Sequence, residues 1–215
     1  MITGGGSMHA SEVFMKLQGR EPGILNQKKY RKSAVLLPIV EVDGESHILF
    51  EVRSKKMRTQ PGDICFPGGR VEQQDTNEMA TAIRETTEEL GVLSEYISNV
   101  IPLDYIVSDM GGIIYPFVGK LSNIGDIQIN QLEVEEVFTV PLNYFIHTEP
   151  EQYKIEFDVL PERDFPYELI QNGENYNWRQ RKMNELFYVY HPRRVIWGLT
   201  ARILYHFVEL MKEND

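Results

Sequence analysis

The residue types best suited to chemistry sit in RETTEEL, Arg84 to Leu90, where Glu85, Glu88 and Glu89 stand at i, i+3 and i+4. On a helix this spacing puts three carboxylates on one face. Two of them fall in the last turn, where the helix dipole disfavours an acid by roughly 0.3–1 kcal/mol. Each like-charged neighbour costs about 0.2–0.5 kcal/mol more. Two readings account for this. In one, the acids form a solvated face, with Arg84 partly screening Glu88 at i, i+4. In the other, a divalent cation compensates the crowding. Hard ions such as Mg²⁺ take oxygen ligands and keep waters and phosphate oxygens in their shell. The upstream pair Gly68-Gly69 would let a backbone carbonyl join that shell, since no side chain blocks its approach. A local rule broken without visible compensation is where function is expected.

The element that must hold these acids is a helix with start and stop signals. Asp75 and Glu78 have capping-box spacing, and Gly91 stands where a left-handed residue ends a helix. Met79, Ile83, Thr86 and Leu90 fall on one core-facing stripe. Upstream, SAVLLPIVEV, the turn DGES and HILFEVRS predict a hairpin over about 33–54. A basic loop from Lys55 to Asp63 follows, then a short strand ICF. Downstream, NVIPLDYIV, GIIYPFVGKL and EEVFTVPL predict further strands. KIEFDV and ELFYVYH predict two more, with Asn172-Gly173 as a hairpin turn. From Arg193 to Met211 a helix is predicted, with Ile196, Leu199, Ile203, Phe207 and Leu210 on one face and Pro192 near its start. Residues 9–32 read as a helix and a loop. A mixed sheet with flanking helices in one α+β domain results.

Composition sets the bounds. The 215 residues carry 22 basic and 32 acidic side chains, a net charge of −10. A binder of nucleic-acid polymers held by phosphate contacts is usually basic, so that class is excluded. No apolar run approaches the roughly 18 residues that span a membrane. One cysteine, Cys65, rules out an internal disulfide and suits a reducing, cytoplasmic setting. Its place in ICF reads as a small buried hydrophobe. MITGGGSM reads as a leader or floppy tail rather than a targeting signal. Arg53, Lys55, Lys56 and Arg58 are the densest basic cluster in an acidic chain; a guanidinium fork suits phosphates. The aromatics Tyr153, Phe157, Tyr167, Tyr176, Trp178 and Tyr188 read mainly as core or surface of an extra hairpin. His147, His191 and His206 read as caps or packing residues.

The run GGRVEQQDTNEMATAIRETTEELGV resembles the signature of the Nudix hydrolases: an Arg-Glu pair, two adjacent glutamates, a glycine and an aliphatic residue, here Arg84, Glu85, Glu88, Glu89, Gly91 and Val92. The commoner motif is one residue shorter before the arginine and has a glutamate in place of Thr76. The longer spacing, with LFEVRSKKMRTQPGDICFPGG upstream, resembles the coenzyme A pyrophosphatase branch. Arg53, Ser54, Arg58, Gly62, Phe66, Pro67, Gly68 and Gly69 match its pattern. Glu51 departs from its usual Thr and Gln60 from its usual His. LEVEEVFTVPL and IWGLTARIL resemble its later strand and last helix.

The resemblance implies an α/β/α sandwich with a mixed sheet between helices, over residues 30–215, preceded by a leader and helix or loop over 1–29. It implies Mg²⁺- or Mn²⁺-dependent hydrolysis of a nucleoside-diphosphate-linked small molecule, coenzyme A first. ADP-ribose, dinucleotides, nucleoside triphosphates or a non-cleaving nucleotide sensor are the alternatives. As metal ligands it implies Glu88 and Glu89, the Gly69 carbonyl, and Glu85 as ligand or base. Arg84 joins the catalytic set, and Glu133 is matched to a strand-borne glutamate facing the site. Arg53, Ser54, Arg58 and Gly68 are the residues expected to meet the substrate. The sequence leaves oligomeric state open, a homodimer among the options.

Overall fold

The computed structural model describes residues 9–108 and 111–213, so the leader 1–8 lies outside the described residues. The chain divides into two units, residues 1–30 and 31–215. The first contains helix α1, Ala10–Leu17, none of whose residues is buried.

The second unit is built on alternation. Strands β1 (Arg31–Val42) and β2 (Glu45–Arg53) form the predicted antiparallel hairpin. Successive residues point to opposite faces: Ala34, Leu36, Val40 and Leu49 feed one apolar core, while Leu37, Ile48 and Phe50 feed another. A strand apolar on both faces must be covered on both sides. Around this pair the sheet gains β3 (Ile64–Cys65), β4 (Gly68–Arg70), β5 (Ile97–Pro102), β6 (Ile106–Ser108), β7 (Gly112–Leu121) and β8 (Val134–Pro141). The order β3-β2-β1-β7-β5 forms its spine; β4 pairs with β1, β6 with β7 and β8 with β2. Only β1 and β7 run parallel among these pairs, which makes the sheet mixed.

Helix α2 (Glu78–Leu90) covers the first face, with Ala82 and Leu90 buried and Met79 and Ile83 packed against the same core. The other face is covered by α3 (Leu142–His147) and α4 (Gly198–Lys212). A second sheet, β11-β10-β9, comprises β9 (Glu151–Phe157), β10 (Arg181–His191) and β11 (Arg194–Trp197). The layers are the helix–sheet–helix sandwich expected. Among the described residues no helix is long and apolar enough to cross a membrane.

Three local expectations are corrected. Asn77, not Asp75, caps α2: its side chain accepts from the Ala80 N–H at 2.8 Å. Asp75 is diverted to Arg84. Asn172 takes the left-handed conformation a turn needs (φ 70°), but it starts a single 3₁₀ turn inside the long connection from Asp158 to Gln180. The last helix begins at Gly198 rather than Arg193. Residues 194–197 instead pair with β10, and their backbone groups are satisfied in that ladder. Of the aromatics, Tyr188 is core, while Tyr176 and Trp178 pack on each other in the connection.

Candidate active site

The site forms where α2, β4, the end of β2 and the turn before β8 meet. Gly91, at φ 63°, ends α2, and the segment beyond it folds back over the helix terminus. The Gln128 N–H donates to the Leu90 carbonyl and the Asn130 N–H to the Glu89 carbonyl, each at 2.9 Å. These bonds satisfy carbonyls that a helix end leaves open. A Cβ on Gly91 would overlap the Gln128 carbonyl, so glycine is required here twice over.

Arg84 is the organiser of the acidic face. Its Nε and Nη2 bind the two Asp75 oxygens at 2.9 and 3.0 Å; Nη2 also reaches Glu85 at 3.0 Å and the Arg70 carbonyl at 3.1 Å. Nη1 pairs with Glu88 at 3.1 Å. Asp75 also accepts from the Glu72 N–H and the Thr81 hydroxyl, each at 2.8 Å. The guanidinium beside it holds the Asp75 carboxyl well below the usual range. Arg84 is thus a positioning residue, committed to carboxylates on every side.

The three motif glutamates do not share one environment. Glu88 is half exposed and turned to Arg84. Glu85 lies against Gly69 so closely that a Cβ there would overlap its carboxylate. Burial pushes its carboxyl up, with Arg84 opposing. Glu89 is 4% exposed and accepts the Gly68 N–H at 2.8 Å. Burial, then the charges of Glu51, Glu85 and Glu133, push its carboxyl up to about 9. Among the described residues no group of three or more acidic, His or Cys side chains stands ready to hold a metal. Glu85 and Glu88 are instead each paired with Arg84.

Other expectations change with the geometry. Gly68, expected at the substrate, donates its N–H to Glu89 here. Its own missing Cβ leaves room for Ala34 and Val35 of β1. Ser54 is fully buried. Its N–H donates to the Glu133 carbonyl at 2.8 Å and its hydroxyl to the Gln131 carbonyl at 3.2 Å, so it anchors the turn bearing Glu133. Glu133 lies one residue before β8, on that turn rather than on the strand; its charge is felt by Glu51, Glu85 and Glu89. Arg53 reaches the Thr59 carbonyl at 3.4 Å, and its charge partly offsets that of Glu51. Arg58 is exposed, with no ion pair among the described residues.

Glu51 was not among the expected site residues. It is 1% exposed and its carboxyl is pushed up to about 7, by burial first. Strand phase was the signal that could have found it. Leu49 packs on the α2 side, and Glu51, two residues on, shares that face.

Comparison with known proteins agrees with this architecture. A family model described as NUDIX domain matches residues 29–161. Peroxisomal coenzyme A diphosphatase NUDT7 of Mus musculus is 38% identical over 150 residues, covering 67% of this chain and 63% of that protein. The chain therefore spans less than two thirds of the mouse protein's length. Nudix hydrolase 3 of Caenorhabditis elegans is 30% identical over 186 residues, covering 84% of this chain and 73% of the relative. A MutT/nudix family protein from Enterococcus faecalis aligns over 96% of this chain and 70% of its own, with a TM-score of 0.50 and 14% identity, which speaks to fold alone.

Proposed function

The chain belongs to the Nudix hydrolase family, and on that premise we propose that it hydrolyses the diphosphate linkage of coenzyme A or its derivatives, releasing 3′,5′-ADP and phosphopantetheine. One observation carries the reading: Glu51, Glu85 and Glu89 have raised proton affinities, each through burial first and with the charge of Glu133 adding to it, and one buried oxygen among them, Glu51 Oε2, has no partner among the described residues. Such a group of acids is unfavourable unless a cation or protons neutralise it. A divalent ion fits, because the donors are all carboxylate oxygens and the nearby backbone is glycine. Mg²⁺ or Mn²⁺ would be held by Glu85, Glu88 and Glu89 with the Gly69 carbonyl. Bound there, such an ion offsets charge on the scissile phosphate and lowers the pKa of water.

The chain's own residues then divide the work. Asp75 holds Arg84, and Arg84 holds Glu85 and Glu88 until a cation competes for them. The Gly68 N–H fixes Glu89. Glu85 or Glu133 takes the proton from the attacking water. Arg53, whose charge acts on Glu51, and the exposed Arg58 supply positive charge suited to the phosphates of a nucleotide and, in coenzyme A, to its 3′-phosphate. The coenzyme A assignment is supported by the Arg53–Gly69 run and by the name of the mouse relative. A single cysteine with a protonated thiol suits a reducing compartment.

The test is incubation of the chain with Mg²⁺ or Mn²⁺ and coenzyme A, acyl-coenzyme A, ADP-ribose, dinucleotides and nucleoside triphosphates. Release of 3′,5′-ADP from coenzyme A at the highest kcat/KM is expected. A higher value on ADP-ribose or a dinucleotide would move the substrate within the family, and binding without turnover of any would make the chain a sensor.

A further inference from the structure

Glu51 sits near the end of β2, within the apolar stretch HILFEV. An ionised carboxylate taken from water without a partner is strongly disfavoured, so each of its oxygens calls for an account. Oε1 accepts the Cys65 thiol proton at 3.1 Å across the β2–β3 ladder, where the two residues are register partners. Oε2 is buried and has no partner among the described residues. The strand sends Ile48 and Phe50 toward the α4 side and Leu49 toward the α2 side. Glu51 therefore rises from the sheet toward α2. Of all the acids around Glu89, Glu51 is the one whose charge acts on it most strongly.

We propose that Glu51 is a further cation ligand of this site, its Oε2 joining Glu89 and Glu85 to complete an oxygen set rooted in the sheet as well as in α2. The Cys65 thiol occupies Oε1 and so leaves Oε2 as the free acceptor. Three carboxylates from two elements bind an ion more firmly than the helix alone could, because the sheet fixes Glu51 while Arg84 competes for Glu85 and Glu88. The inference rests on the proposed function only in sharing its ion.

The test is titration of the full chain with Mn²⁺, following the free-ion EPR signal, for the wild type, Glu51→Gln, Glu51→Thr and Glu89→Gln. Thermal unfolding is recorded with and without Mn²⁺. The expected result is that both Glu51 variants fold without metal, with a Tm equal to or above the wild type. They bind Mn²⁺ roughly tenfold or more weakly and gain less Tm at one fixed Mn²⁺ concentration. Threonine suits a strand and carries no charge, so it serves where glutamine disturbs packing. Wild-type Mn²⁺ affinity in both Glu51 variants, with Glu89→Gln impaired, would overturn the proposal and leave the proposed function standing; Glu51 would then be a neutral acid holding its own proton. Unchanged affinity in all three variants would remove the ion from the proposed function as well. Failure of both Glu51 variants to fold without metal would also overturn it, since a carboxylate kept for a cation is dispensable in the metal-free chain.

Discussion

Replacing Glu89 by glutamine should make the metal-free protein more resistant to unfolding at alkaline pH, although it removes a carboxylate from the acidic face of α2. In the fold this carboxyl is pushed from its ordinary 4.5 up to about 9. Between those values the native chain binds more protons than the unfolded one, so stability falls as pH rises through that window. One pKa unit corresponds to about 1.36 kcal/mol. From pH 5 to pH 8 the wild type therefore loses up to about 4 kcal/mol through this group, on the order of 1–4 kcal/mol once the site relaxes. Glutamine stays neutral across the range and keeps an oxygen for the Gly68 N–H. Urea unfolding of both proteins in EDTA, at pH 5, 6.5 and 8, measures the difference directly. The two should be close at pH 5 and diverge toward pH 8, with the variant the more stable. Saturating Mn²⁺ should stabilise the wild type more than the variant, and turnover should be lost in the variant. A stability difference that is the same at pH 5 and pH 8 would refute the reasoning.

Gly69→Ala places a Cβ on the Glu85 carboxylate and should lower kcat at least tenfold while circular dichroism stays native, a split readable in one activity and one spectral measurement. Asp75→Asn frees Arg84 from its charged clamp and should lower kcat about tenfold with KM little changed; the motif glutamates stay in place but lose their common tether. Arg58→Ala should raise KM for coenzyme A more than for ADP-ribose, and equal effects on the two substrates would remove its proposed contact with the 3′-phosphate.

Much of the site was legible because its residues are close in sequence. The i, i+3, i+4 glutamates, Arg84 and the Gly91 stop all belong to one helix, whose geometry follows from local periodicity. What escaped was the partner of each side chain. Asp75 has the spacing of a cap, yet Asn77 takes that place and Asp75 turns to Arg84. Ser54 and Gly68 match a motif at positions a substrate contact would suit, yet one is buried in the β2–β8 corner and the other donates to Glu89. Short-range patterns carry no information on which of several polar neighbours wins a hydrogen bond.

The sequence by itself determined that α2 would carry three acids, an arginine and an apolar stripe, and that alternating strands would need cover on both faces. These follow from the fixed periods of helix and strand. Only the tertiary structure decided that Glu51 and Glu133, 34 positions before and 48 after Glu85, would join the acids of α2. Packing α2 over β1 and β4, beside β2, and folding residues 122–133 over its end brings those charges together, and burial there converts scattered carboxylates into one electrostatic unit.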